Sequence, residues 1–318
     1  VDNLITGNQE TFGNGETNGG GGVYCDADTS TILTGNTISF NTAVGHGGGV
    51  FLLSGSYHVL TENIITGNTA NGFGGGMLFS RCNAEIAGCA ITENECGVNG
   101  GGIYSDQGTR PTTYTDCTIS GNEARQGGGL YQTGGSAPNF LTCTFLDNHA
   151  RFQGGGVWCG GSAPDFQNCV FRGNSSVENG GAFFSKGSDP LLENCTVVGN
   201  TAASGGGFYT QGLYHNPLIV NSILWNNSPD EIFVYTGQIT VSFSDVQEAW
   251  DGEGNIDIPP LFVDYPAGDL HLQEDSPCVD AADPASDVPP GGGCVIDMGA
   301  FELWKGFNCR KDRDSAQF

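Results

Sequence analysis

One asparagine recurs along the chain at a nearly fixed interval, and no other feature restricts the fold as strongly. It stands at Asn8, Asn41, Asn68, Asn94, Asn122, Asn148, Asn174, Asn200 and Asn226, with spacings of 33, 27, 26, 28, 26, 26, 26 and 26 residues. A period of this size marks a repeat architecture, in which one short unit stacks on the next. Three residues before each asparagine the chain is apolar: Ile5, Ile38, Ile65, Ile91, Ile119, Phe145, Phe171, Val197 and Ile223. Five before it stand Asn3, Asn36, Asn63, then Cys89, Cys117, Cys143, Cys169 and Cys195, then Asn221. Eight before it, from the second unit on, the residues are Leu33, Leu60, Ile86, Tyr114, Phe140, Phe166, Leu192 and Leu218.

Positions three and five share a face of an extended strand, because strand side chains alternate. Position eight is out of phase with them, so the strand bends in between. A second strand follows each glycine run: Val50-Phe51, Met77-Leu78, Ile103-Tyr104, Leu130-Tyr131, Val157-Trp158, Phe183-Phe184 and Phe208-Tyr209 come after GGG or a near relative such as Gly180-Gly181-Ala182. Each unit therefore holds two or three short strands separated by Gly/Asn turns, and no segment has a helical period. A unit this short cannot bury its apolar face alone, but stacked units can. The chain is expected to be all-β: a right-handed parallel β-helix, a solenoid of about nine coils over residues 1–226. At about 4.8 Å per coil this gives a rod on the order of 45 Å long. Asparagine suits the turns, since it tolerates left-handed backbone and its amides can stack into a ladder.

The period fades after Asn226. Residues 227–306 are expected to form a last irregular coil and a cap, which protects the open coil edge from pairing with other chains. Residues 307–318 read as a polar tail. The chain carries 35 acidic against 10 basic residues, a net charge of −25. That balance argues against nucleic acid or direct membrane insertion, since clustered Lys/Arg and an apolar span of about 18 residues are both missing. The sequence opens inside a repeat without an initiating Met, which reads as a mature or trimmed fragment.

The segments "SILWNN" (222–227), "NIDIPPLFVD" (255–264), "DLHLQEDSPCVDAAD" (269–283) and "DMGAFE" (297–302) resemble the C-terminal end of bacterial right-handed β-helix repeat proteins of the choice-of-anchor type. The elements "GGGVY", "GGAF", "FLDN" and "FRGN" are similar to the tetrapeptides of polymorphic outer-membrane adhesins. The resemblance covers nearly the whole chain. It implies the β-helix fold, export, and an extracellular or cell-surface location. The chain departs from the pattern by ending shortly after "DMGAFE" with no recognisable anchor segment.

Candidate chemistry is sparse. The cysteine column Cys89, Cys117, Cys143, Cys169 and Cys195 reads either as a disulfide or metal ladder or as a stack of buried thiols, and the second reading is preferred because free Cys packs as a small hydrophobe. Cys278 and Cys294 flank a Pro/Gly loop and could form a disulfide. Asp280, Asp283 and Asp297, with Asp275, Asp287 and Glu302, could hold calcium through oxygen ligands or could be solvated loop acids; no other cofactor is expected. Arg125 and Arg151, three residues past the asparagine in adjacent coils, read as an anionic-glycan site or as exposed partners of Glu123. Gly45-His46-Gly47 is similar to a polygalacturonase motif, but its companions are missing and a turn histidine is preferred. Tyr104, Tyr131, Trp158, Phe184 and Tyr209 form a column that binds sugars or protein if it faces out and forms core if it faces in.

Two classes of function follow. The first is an extracellular structural or adhesive solenoid that presents a repetitive face to glycans, to proteins or to copies of itself, with assembly into a filament or surface layer as one form. The second is a polysaccharide lyase or hydrolase. It needs paired carboxylates, or acids beside a basic residue, and the chain has three lysines, at 186, 305 and 311.

Overall fold

The computed structural model describes residues 1–11, 19–26, 30–53, 57–106, 112–135, 137–287 and 295–303. Within these residues the chain winds as a parallel β-solenoid. A coil holds four short strands rather than two or three. In the coil of Asn148 they are Asn139–Leu141, Thr144–Leu146, His149–Gln153 and Val157–Gly160. Each pairs in parallel with its equivalents one coil away, so the four become an opening sheet of nine strands, a front sheet of ten, a side sheet of seven and a back sheet of nine.

The bend expected between positions eight and five is a single left-handed residue. Asp116, Thr142, Asn168 and Asn194 occupy it at φ 51–54°. A second left-handed corner immediately precedes the ladder asparagine, held by Gly121, Asp147, Gly173 and Gly199 in successive coils. Two corners five residues apart turn three strands inward around one core.

The inward columns are those anticipated. Ile65, Ile91, Ile119, Phe145 and Phe171 are fully buried, as are Leu60, Ile86, Phe140 and Phe166 on the opening sheet. Aromatic members stack along the axis, with ring centroids 4.4 Å apart for Tyr114–Phe140, 4.6 Å for Phe140–Phe166 and 4.9 Å for Phe145–Phe171. The five column cysteines are buried free thiols. Each Sγ lies 3.3–3.5 Å from the carbonyl oxygen two residues earlier in its own chain. Burial pushes the Cys89 thiol up to about 11, which keeps it protonated.

The asparagines form one continuous ladder. Each Nδ2 donates to the Oδ1 of the next coil's asparagine at 2.8–3.0 Å, from Asn8 to the ninth rung. The ninth rung is Asn227, not Asn226. Asn226 takes the left-handed corner at φ 57° that glycine, Asp147, Phe40 or Glu93 holds in other coils, and the rung moves one residue on. The ninth-coil columns shift with it: Val197 pairs with Leu224, Leu192 with Ile219, and Ser222 replaces Asn221 after the cysteines. The ladder ends on buried Glu231, whose carboxylate accepts from both the backbone N and the Nδ2 of Asn227.

Parallel pairing continues through a shorter tenth coil to Val246. Beyond it an antiparallel pair, Phe262–Asp264 with Asp269–Leu272, folds back on the front sheet. Leu270, Phe262, Tyr265 and Phe301 cover Val170, Val198 and Trp225 there. The cap therefore closes the C-terminal half of the front sheet and leaves the N-terminal half open.

Candidate polar pocket on the turn stack

The aromatic column settles on the outer side of the back sheet, yet it is largely buried. Trp158, Phe184 and Tyr209 are at most 7% exposed. The rings lie face to face along the axis, at 5.3 Å for Tyr104–Tyr131, 4.1 Å for Tyr131–Trp158, 6.1 Å for Trp158–Phe184 and 5.1 Å for Phe184–Tyr209. His46 and Phe73, from the segment before the glycine run, extend the stack at 5.0 Å and 4.7 Å. Ring faces that pack on other rings are unavailable to a sugar, so this column is a second core outside the wall rather than a binding stripe. His46 Nδ1 also accepts the backbone N–H of Phe73, and burial lowers its basicity, which makes it a structural turn residue.

The turns that lead from the back sheet to the next coil carry a polar pocket of about 270 Å³. Its floor is glycine: Gly135, Gly161 and Gly187, at φ 76°, 59° and 58°. At Gly161 the space where a side chain would start is empty. Ser162 and Ser188 form the inner wall, at 6% and 1% exposure. Ser188 Oγ accepts from the backbone N of Ser162 at 3.1 Å, while the Ser162 hydroxyl is buried with no partner among the described residues. Asp189 and His215 close the rim. Asp189 Oδ2 lies 3.0 Å from His215 Nδ1, and Oδ1 accepts the backbone N–H of Asn216. Exposed Lys186 lies on the adjoining strand end, on the same outer face as Phe184. The rim of the pocket thus joins a half-exposed carboxylate and an imidazole, with the buried Ser162 hydroxyl in its wall.

The other sequence candidates are placed elsewhere. Arg151 bridges Glu95 and Glu123, both at 2.7 Å, and Arg125 lies over the Phe152 ring at 4.6 Å. Neither guanidinium is free to line an anion site with the other. The cap acids brace turns. Asp297 accepts from the backbone N–H groups of Asp280 and Leu303, and Asp283 accepts from that of Ala285. A cleft of about 420 Å³ separates Asp287, Asp297 and Glu302 from the corners Thr142, Asn168 and Asn194. Among the described residues no three His, Cys, Asp or Glu side chains stand close enough to share a metal ion. The Cys278 thiol donates to Asp245 Oδ2 at 3.1 Å, and its suggested partner Cys294 lies outside the described residues.

The family model described as right handed beta helix region matches residues 2–145 and 139–252. The chain belongs to the right-handed β-helix family. Its two matches overlap and together take in all the coils. This β-helix is similar to the crystal structure of pectate lyase Pel9A, with a TM-score of 0.51 and 13% identity over 85% of this chain and 72% of that chain. The likeness shows a shared fold alone. No curated protein matches the chain.

Proposed function

We propose that this β-helix is an extracellular, cell-surface solenoid that binds neutral or weakly acidic glycans through the pocket of Ser162, Ser188, Asp189 and His215. The observation that carries the reading is a glycine-floored cavity, walled by Ser162 and Ser188, whose rim holds a carboxylate and an imidazole. A carboxylate accepts two hydrogen bonds side by side, as a vicinal diol supplies them, and carbohydrate is rich in vicinal diols. The stacked coils serve as a rigid mount, which lowers the entropic cost of binding. The resemblance to choice-of-anchor proteins and outer-membrane adhesins agrees with a surface location.

A glycan array followed by calorimetry on the wild-type chain tests this. Asp189→Ala and His215→Ala should each weaken the best ligand at least tenfold while leaving the thermal melt unchanged. Absence of any ligand, or equal binding by both variants, overturns the assignment. A second reading, polysaccharide cleavage, draws on the likeness to a pectate lyase and on the Asp189–His215 pair. Unsaturated or reducing-end products from a polysaccharide panel, with and without calcium, would replace binding by catalysis.

A further inference from the structure

At the C-terminal end of the ring column one more aromatic stands in solvent. Tyr235 is 65% exposed, whereas Trp158, Phe184 and Tyr209 are at most 7% exposed. A register shift puts it there. Tyr209 pairs with Phe233 and Thr210 with Val234, but Gln211 pairs with Thr236, so Tyr235 is an extra residue with no partner on the neighbouring strand. The preceding strands of the back sheet pair without such a step. Bulges of this kind re-aim a side chain and gather next to functional sites. The Tyr235 ring lies nearly parallel to that of Tyr209, with 18° between the planes and 6.4 Å between centroids. The stack thus fixes the ring on one side and leaves it open to solvent on the other.

Tyr235 stands one coil beyond the rim of the polar pocket. Gly237 packs on the turn of residues 212–217, which carries His215: a Cβ at Gly237 would fall 2.1 Å from the Gly212 carbonyl oxygen and 3.5 Å from that of His215. Asn216 ties the two layers together. Its backbone N–H goes to Asp189 and its Nδ2 donates to Thr240 Oγ1 at 2.9 Å. From the Gly212 turn to Tyr235 is one coil along the axis and two residues across it, roughly 8 Å. The same turn exposes Leu213 and Tyr214, at 72% and 95%. Exposed apolar residues scattered singly carry no message, but here three large ones share one turn and the strand stacked on it, beside a polar rim.

Resting on the glycan reading of the pocket, we infer that Tyr235 is a stacking platform for a second sugar ring, so that the site takes an oligosaccharide of neutral hexopyranoses. The bound chain runs from the Asp189–His215 rim along the solenoid axis to Tyr235. A hexopyranose with equatorial hydroxyls carries C–H bonds on its faces and hydroxyls round its edge. It can lay a face on an aromatic ring while its edge keeps hydrogen bonds to water or to a carboxylate. Tyrosine supplies a broad amphipathic surface at low entropic cost, and stacking on Tyr209 orders it before any ligand arrives. The acid at the rim and the net charge of −25 select an uncharged chain.

Calorimetry of the full chain with neutral gluco- and galacto-oligosaccharides, from monosaccharide to hexasaccharide, tests this. Affinity should rise at least tenfold from monosaccharide to trisaccharide and then level off. Tyr235→Ala should remove that gain at an unchanged thermal melt, and Tyr235→Phe should keep it. Tyr24→Ala, which strikes an exposed ring at the far end of the column, should leave it intact. Affinity independent of chain length, or the full gain in Tyr235→Ala, overturns the platform; if Asp189→Ala still weakens binding, the pocket stands without it. A gain lost in Tyr235→Ala together with unchanged binding by Asp189→Ala supports the platform and overturns the pocket. Folded wild-type protein that binds no member of the series overturns both.

Discussion

Asn122 uses the whole hydrogen-bonding capacity of its amide. Its Nδ2 donates to Asn148 Oδ1 and to the Ile91 carbonyl, and its Oδ1 accepts from both the backbone N and the Nδ2 of Asn94. The side chain is fully buried, so removing it strands partners that water cannot reach. Asn122→Ala should therefore cost roughly 3 kcal/mol, at the upper end for a buried unsatisfied group. The midpoint of urea unfolding measures this, and a change under about 1 kcal/mol would mean that the coils relax around the gap. The ladder was legible in the sequence for eight rungs, because a regular period needs no knowledge of neighbours. It slipped at the ninth, where Asn226 and Asn227 are both asparagine and only the left-handed corner decides which one turns inward. The pocket left a partial trace: Gly135, Gly161 and Gly187 keep the 26-residue spacing, but Asp189 and His215 each occur in a single coil and offer nothing to align.

Gly121 and Gly128 look alike in the sequence but serve different needs. Gly121 sits at a left-handed corner, φ 61°, with the nearest atom 3.7 Å from the place a Cβ would take. Gly128 lies between coils, where a Cβ would come within 2.4 Å of the His149 carbonyl oxygen and 2.6 Å of that of Gly155. Gly121→Ala should cost about 1–2 kcal/mol, the strain of a left-handed residue. Gly128→Ala forces two strands apart and should cost about 3 kcal/mol or more. Parallel unfolding curves of the two variants check the order, and equal losses would refute it. The same limit explains the aromatic column. Both members of each pair after the glycine run are apolar, so alternation alone does not say which is core. The structure buries the first inside the wall and packs the second, buried or half-buried, among its own kind outside it.

For the molecule as a whole, acidity and stability are linked through the buried carboxylates near the C-terminal end. Burial raises Glu231 to about 7 and Asp245 to about 6. A carboxyl whose folded pKa is raised binds more protons in the folded state than in the unfolded state, so its contribution is full below the unfolded value and is lost as pH rises through the folded one. Stability should therefore fall between about pH 4.5 and 7. Glu231→Gln should flatten that slope by about one proton in denaturation series across the window, and an unchanged slope would place the effect on other acids. Glu231 also bears on a property of the ladder as a line. Every ladder amide points its NH₂ toward the C-terminal coil and its oxygen toward the N-terminal one, so nine small dipoles add head to tail. The positive end arrives at the Glu231 carboxylate, much as the start of a helix meets an acid. The rod thus has an electrical polarity, and two rods laid side by side are not equivalent in parallel and in antiparallel order.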